Sequence, residues 1–153
     1  MPKVDLDRIE RTNRTGYPSP FDLQVQGRFY RRLAPATGLT DFRVSHVVLK
    51  PGAWSSQRHW HDGEDEFLVM LSGEVTLVED EGRTVLRAGD LAAWPKGTGD
   101  GHHLINESEE DCTFVVIGGG TSTGGGYSDI DMLFTADGRY IRKDGSEYET
   151  KRA

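Results

Sequence analysis

The sequence predicts an all-β protein built as a sandwich or a barrel. Short runs of β-branched and aromatic residues alternate with Gly, Asp, Asn and Pro, a rhythm typical of antiparallel sheets. No long stretch has the three-to-four apolar spacing of an amphipathic helix bounded by caps. The 153 residues are enough to bury one hydrophobic core, and nothing indicates a second domain.

Candidate strands follow one another along the chain, separated by turns such as Ser72-Gly73 and Glu81-Gly82. They cover residues 42–49, 55–61, 66–71, 74–79, 83–87, 91–94, 102–106 and 113–117. Near the amino terminus, residues 4–11 predict a short helix. These strands place the barrel core at about residues 40–118 of a single domain spanning 1–153, after an N-terminal arm over 1–39.

The glycine-rich run at 118–126 is the strongest change of composition in the chain, and it predicts a flexible loop. A phosphate-cradling role is disfavoured because no Gly-Lys-Ser/Thr follows it. Residues 127–134 and 139–142 are then predicted to be extended and joined at Asp137-Gly138. The loop and this C-terminal arm together occupy 119–153.

Charge and cysteine content narrow the classes of function. The net charge of -7 argues against a nucleic-acid or anionic-membrane partner and leaves a small-molecule ligand. Cys112 is the only cysteine, so neither an intrachain disulfide nor a thiolate metal cluster is expected. No signal-peptide stretch and no run approaching ~20 apolar residues is present, so a cytoplasmic protein is expected.

Imidazoles and a carboxylate recur in a pattern that indicates a metal site. His59 and His61 lie two apart, so on a strand both present nitrogens from one face. The turn after them returns the chain as a strand that begins at Glu66, and two further imidazoles follow at His102 and His103. Adjacent side chains on a strand face opposite sides, so only one of these two points inward.

These residues fall within two motifs that resemble those of the cupin superfamily, most closely its small single-domain, cupin-2-like barrel proteins of undefined function. The first motif is matched by Gly52, His59, His61, Glu66 and Gly73. The second motif is matched by Gly89, Pro95, Gly97, His102 and Asn106. Two gaps depart from the usual pattern: Gly52 to His59 is one residue longer, and Gly97 to His102 carries two extra residues.

The resemblance implies a double-stranded β-helix, a jelly-roll-like barrel with a metal near one mouth. Carried over by position, it implies that the metal ligands are His59, His61, Glu66 and His102, with His103 as the alternate to His102. Nitrogen and oxygen ligands with open positions suit Fe, Mn, Ni, Co, Cu or Zn, and ligand type alone does not choose among them. A homodimer is also expected, in which residues 17–21 and the C-terminal segment cover sheet edges across a two-fold axis.

The predicted function is that of a metal-dependent enzyme, of oxygenase, isomerase or lyase type, acting on a small oxygenated metabolite. The alternative is a non-catalytic barrel that binds or senses a metabolite or a metal. No residue is identified as the general acid or base, since His46, Tyr30 and Tyr127 are candidates by residue type only.

The sequence also predicts where several side chains close to the two motifs lie. Gln57 shares the face of His59 and His61 if their strand is regular, so it is expected to contact a ligand or a bound water, whereas Arg58 should face away. Whichever of His102 and His103 is not a ligand is expected at the surface or at a subunit contact. Three acidic residues beside Glu66 are expected to form a solvated turn, and three tryptophans near the motifs to pack in the core or a dimer interface. The acidic residues are Asp62, Glu64 and Asp65, and the tryptophans are Trp54, Trp60 and Trp94.

Overall fold

A computed structural model describes residues 2–149. Its strands are β1 (Arg28–Arg32), β2 (Phe42–Leu49), β3 (His59–His61), β4 (Glu64–Ser72), β5 (Glu74–Glu79), β6 (Gly82–Arg87), β7 (Leu91–Trp94), β8 (His103–Ile105), β9 (Cys112–Gly120), β10 (Gly125–Tyr127), β11 (Leu133–Phe134) and β12 (Tyr140–Ile141). One short helix, α1 (Leu33–Thr37), and two 3₁₀ turns, Leu6–Arg8 and Leu23–Val25, complete the elements. The all-β prediction is confirmed.

The strands form three antiparallel sheets. The largest has the order β1-β2-β9-β4-β7, the second has the order β6-β5-β8, and the third has the order β12-β11-β10-β3. Strand β4, between β9 and β7, therefore carries Glu66 in the interior of one sheet, while β3 carries His59 and His61 at the edge of another. The candidate site lies where these sheets meet.

Side chains alternate between the inner and outer face along each strand, and the inner ones form the core between the sheets. On β4, Leu68 and Met70 are buried while Phe67 remains 38% exposed, so one face of the large sheet points inward. Phe114 of β9 packs beside them, and residues of the second sheet cover this face. These covering residues are Val75, Leu77, Leu86 and Leu104. Burial of this apolar face is the main stabilising term of the barrel.

A second apolar cluster joins the two terminal segments to the barrel. Tyr17 and Val25 from the N-terminal segment pack with Tyr127 and Met132 from the C-terminal segment. All four side chains are at most 5% exposed. The terminal segments therefore form part of the wall around the site.

Several local expectations are corrected by the structure. The predicted strand over 55–61 is regular only at β3, because residues 55–58 are bends. The predicted helix over 4–11 is a single 3₁₀ turn. The flexible-loop prediction for the glycine run is wrong for most of it, since β9 extends to Gly120 and β10 begins at Gly125. Strand β1 was not predicted. Among residues 2–149, no helix combines the length and apolarity that a membrane crossing requires.

Candidate metal centre

Three chain segments bring His59, His61, Glu66 and His102 together. His59 and His102 face each other across an isolated antiparallel bridge, in which each backbone N–H donates to the other's carbonyl at 3.1 and 2.9 Å. Strand β3 places His61 on the same side as His59, and β4 places Glu66 beneath them. The backbone pairing therefore decides that His102 faces inward.

The three imidazoles converge on one oxygen of the Glu66 carboxylate. Glu66 Oε1 lies 2.8 Å from His61 Nε2, 3.2 Å from His102 Nε2 and 3.4 Å from His59 Nε2. Donor atoms of His59, His61 and Glu66 all lie within 4.8 Å of one another. Each of the four side chains is at most 15% exposed, so bulk water does not separate them.

The tautomer of His59 shows why a cation fits this cluster. His59 Nδ1 lies 3.0 Å from the Gln57 carbonyl, which only accepts, so Nδ1 carries the hydrogen of the neutral ring. The lone pair of Nε2 then faces the Glu66 carboxylate. Glu66 Oε1 is buried and has no hydrogen bond in the described chain. Imidazole nitrogens that converge on a buried carboxylate oxygen form the arrangement that a bound metal ion satisfies.

Charge in the cluster is shared between Glu66 and the imidazoles. Burial alone would raise the pKa of Glu66, but contacts with the imidazoles of His102, His59 and His61 hold it well below 4.5. Burial alone would lower the pKa of His59, but the Glu66 carboxylate and the Gln57 carbonyl together raise it above 6.5. Burial lowers the pKa of His102. Without a metal, Glu66 is therefore ionised and His59 retains a proton most readily.

The two adjacent histidines have different surroundings. Trp94 stacks flat on His102, with ring centroids 4.0 Å apart and planes 4° apart. His103 points the other way, where its ring meets Trp54 edge-on at 4.8 Å and its Nδ1 donates to the Ser56 carbonyl at 2.9 Å. His103 is only 4% exposed within the single chain, so the expectation of a histidine at the surface or at a subunit contact is wrong. It is a buried, hydrogen-bonded residue.

A cavity of about 520 Å³ opens onto the cluster. Its polar lining includes four tyrosines and two arginines, and its apolar lining comes from the core strands and the C-terminal segment. The polar residues are Tyr17, Tyr30, Tyr127, Tyr140, Arg28 and Arg43, and the apolar residues include Val47, Leu68, Leu104, Phe114, Val116 and Phe134. This volume and this mixture suit a small, oxygen-rich metabolite.

Two side chains near the motif do not have the surroundings that were expected. Gln57 does not line the cavity, because its bend turns the side chain away and Nε2 donates to the Phe21 carbonyl and to Gln24 Oε1. Glu64, expected in a solvated turn, is only 11% exposed and accepts a 2.7 Å hydrogen bond from Arg43. Glu64 therefore lies in the cavity wall.

Of the other residues considered from the sequence, some line the cavity and some lie outside it. Arg58 does face away, where it binds Asp129 and Asp80. His46 does not line the cavity, whereas Tyr30 and Tyr127 do. Arg28 was missed, although Arg28 and Tyr30 lie two apart on β1 and so share a face.

Comparisons with known proteins agree with this architecture. A family model described as "Cupin domain" matches residues 45–118. A solved structure from Silicibacter pomeroyi, described as a sugar phosphate isomerase from a cupin superfamily, is 42% identical over 97% of each chain, with a TM-score of 0.91. No curated protein sequence gives a significant match.

Two other solved structures share the fold at lower identity. A Cupin 2 conserved barrel domain protein from Salinispora arenicola is 23% identical, with coverage of 77% of this chain and 86% of that one and a TM-score of 0.55. The polyketide cyclase RemF from Streptomyces resistomycificus is 18% identical, with coverage of 85% and 87% and a TM-score of 0.68.

Proposed function

This chain belongs to the cupin superfamily and folds as a double-stranded β-helix barrel, and we propose that it is a metal-dependent isomerase of a small hydroxycarbonyl metabolite. The observation that carries the proposal is the convergence of three imidazole nitrogens on a buried carboxylate oxygen without a hydrogen bond, at the wall of a 520 Å³ cavity. A non-catalytic metabolite-binding or sensor barrel is the alternative.

The proposed ligands are His59, His61, Glu66 and His102, which would hold a divalent transition metal such as Fe, Mn, Ni, Co, Cu or Zn. Four protein ligands of this type leave coordination positions for substrate oxygens on an ion that accepts more than four ligands. When bound, such an ion polarises a carbonyl or hydroxyl oxygen and lowers the cost of removing a neighbouring proton.

The cavity's own residues supply orientation and exclude water. Burial raises the pKa of Tyr17 to about 12 and that of Tyr127 well above 10, so both phenols stay protonated and can donate hydrogen bonds. Tyr127 lies beside His59, with ring centroids 6.0 Å apart. Substrate hydroxyls bound near the metal ligands would therefore meet fixed phenolic donors, while Phe134, 5.2 Å from the His61 ring, limits access of water.

The choice of isomerisation among the three predicted reaction types rests on the Silicibacter pomeroyi protein. That protein is described as a sugar phosphate isomerase and is 42% identical over nearly the whole chain. The polyketide cyclase and the other distant structures support the fold and no particular reaction. Oxidation and bond cleavage are the competing outcomes of the activity test.

Elemental analysis and solvent-proton exchange together test this proposal. Protein purified without a metal-affinity tag should contain near-stoichiometric metal, which His59→Ala prepared identically should lack. Metal-loaded protein should then exchange the proton next to the carbonyl of a sugar phosphate for deuterium in D₂O, as observed by NMR. Absence of metal even after reconstitution would overturn the enzyme proposal and leave a metabolite-binding barrel.

We also propose that the protein forms a homodimer and acts in the cytoplasm. The outer face of the large sheet presents apolar side chains from three neighbouring strands, since Phe67 of β4 pairs with Ile117 of β9, and Leu91 of β7 pairs with Val69 of β4. Leu91 is 59% exposed, so covering this face by a second copy would bury apolar surface. Sedimentation that shows only monomer at micromolar concentration would overturn the dimer.

A further inference from the structure

Arg28 brings a fixed positive charge to the cavity that holds the candidate metal ligands. It lies at the start of β1 and lines the same cavity as His59 and Glu66. Its Nη1 donates to the Ser55 carbonyl at 2.9 Å, and its Nη2 donates to the Arg14 carbonyl at 3.4 Å. Both acceptors are neutral, so these bonds fix the position of the guanidinium without balancing its charge.

The guanidinium also keeps unused hydrogen-bond donors. An arginine has five N–H groups, and the two carbonyl contacts use one on each terminal nitrogen. Arg28 Nε is buried and has no partner among residues 2–149. Buried donors of a charged group are costly to leave unpaired, so the site favours an acceptor supplied by a ligand.

Arg28 differs in its charge balance from the other arginine that lines the cavity. Arg43 donates to Glu64 at 2.7 Å, which neutralises it. In the described part of the chain, no carboxylate lies within 4.0 Å of a nitrogen of Arg28, although the protein carries a net charge of -7. No carboxylate of the described chain therefore balances the charge of Arg28, which is available to an anionic ligand.

Two neighbours hold Arg28 in place. Tyr30 packs against its guanidinium, and the segment Ser55-Ser56 links it to the candidate metal ligands. The guanidinium lies over the Tyr30 ring at 5.1 Å, and the Tyr30 hydroxyl donates to the same Arg14 carbonyl at 2.9 Å. Ser55, whose carbonyl holds Arg28, precedes Ser56, whose Oγ lies 3.1 Å from His59 Nδ1. One short segment thus positions both groups.

We propose that Arg28 recognises an anionic group of the substrate, a carboxylate or a phosphate, while the same molecule's hydroxyl or carbonyl oxygens face His59, His61, Glu66 and His102. This inference rests on the proposed function, because it assigns a substrate class to the same cavity. The planar fork of arginine suits both anions. The substrate is then an acidic polyol or sugar derivative rather than a neutral one.

The test compares three non-isomerisable probes by isothermal titration calorimetry. The probes are sorbitol 6-phosphate, gluconate and sorbitol, which share a polyol chain and differ in the terminal group. Wild-type protein should bind at least one of the two anions about tenfold or more tightly than sorbitol, as expected for charge-assisted hydrogen bonds. The stronger anion distinguishes phosphate from carboxylate.

Arg28→Gln should remove this preference, so that it binds the two anions no more tightly than it binds sorbitol. Arg142→Gln is the matched control, because Arg142 also donates to a carbonyl, of Glu147, and lies over a tyrosine, Tyr148, but does not line the cavity. It should retain the full preference. If Arg28→Gln does not fold, Arg28→Lys keeps the charge, loses the fork and should still lower the preference.

Metal-free protein separates this inference from the proposed function. An anion preference that persists without metal and disappears in Arg28→Gln supports the Arg28 site even if the isomerase assay fails. Equal binding of all three probes, no binding of either anion, or a preference that Arg28→Gln and Arg28→Lys both retain would overturn the Arg28 site, whatever the metal content.

Discussion

Trp94 stacks face to face on His102, with ring centroids 4.0 Å apart and planes 4° apart. The indole is itself held by a 3.0 Å hydrogen bond from Nε1 to Glu79 Oε1. Because His102 Nδ1 has no hydrogen-bond partner in the described chain, this stacking and the 3.2 Å contact of Nε2 with Glu66 Oε1 restrain the ring's orientation. The tryptophan therefore positions one of the four candidate ligands.

Replacing Trp94 should weaken metal binding without unfolding the barrel. We expect Trp94→Leu to lower metal affinity about 10-fold to 100-fold, the range typical for partners that orient a metal ligand. Trp94→Phe retains a flat ring and should lose much less. Metal titration monitored by calorimetry measures both, and equal affinity in wild type and Trp94→Leu would contradict a positioning role.

Glu66 and Glu64 form a matched pair of carboxylates two residues apart on β4, with side chains 12% and 11% exposed. Glu66→Gln should lower metal affinity by more than about 100-fold, because the charged oxygen on which the three imidazoles converge is lost. Glu64→Gln should retain metal, because Glu64 Oε1 lies 3.7 Å from His61 Nδ1 and its main partner is Arg43. Elemental analysis of both variants measures this, and metal loss in Glu64→Gln alone would reverse the assignment.

The pH dependence of metal binding follows from the raised pKa of His59. Protonated His59 contributes to the stability of the metal-free protein below pH 6.5, and this contribution is lost as pH rises through the raised pKa. Metal must displace that proton, so affinity should rise about tenfold per pH unit up to the raised pKa and then level off. Thermal melting with and without metal across this window measures both trends.

A control for the pH prediction is His46, which lies outside the cavity. Its pKa is lowered, mainly by burial and then by the Arg31 charge. His46→Asn should leave the pH profile of metal affinity unchanged, whereas His59→Ala should abolish metal binding. A profile that moved with His46→Asn would show that the titration does not arise at the metal ligands.

The sequence was sufficient to predict that two of the candidate ligands share one face of a strand. His59 and His61 share a face because β3 is regular, so spacing alone placed them correctly. The same reasoning failed two residues earlier at Gln57, because residues 55–58 are bends rather than strand. The periodicity of side chains holds only within the strand, and the sequence does not mark where this strand begins.

Other features depend on contacts between segments that are distant in sequence. His102 rather than His103 faces inward because its backbone pairs with that of His59. Arg28 reaches the cavity because β1 pairs with β2, a pairing that no local pattern indicated. Neither the orientation of His102 nor the position of Arg28 could be predicted from the local sequence pattern, because both depend on which strands are neighbours in space.

Gly125, in the glycine-rich run, packs closely against the strand that carries His59 and His61. Gly125 pairs with His61 and Gly126 pairs with Trp60, so β10 supports the strand that carries two candidate ligands. A Cβ built on Gly125 would lie 2.0 Å from the Trp60 carbonyl oxygen and 2.5 Å from the Phe134 ring. Neither strand backbone can yield without breaking the pairing, so this glycine is required by close approach rather than by loop flexibility.

Gly125→Ala should therefore destabilise the barrel and displace His61. We expect a loss of about 2 kcal/mol or more from overpacking, and thus a Tm lower by about 4–8 °C, together with weaker metal binding. Gly119→Ala is the matched control from the same run, because its added Cβ would meet Phe42 Cβ at 3.5 Å, an ordinary contact. Differential scanning calorimetry of the two variants measures the difference. Equal Tm values would favour the flexible-loop interpretation, because a loop would accept a methyl group equally at both positions.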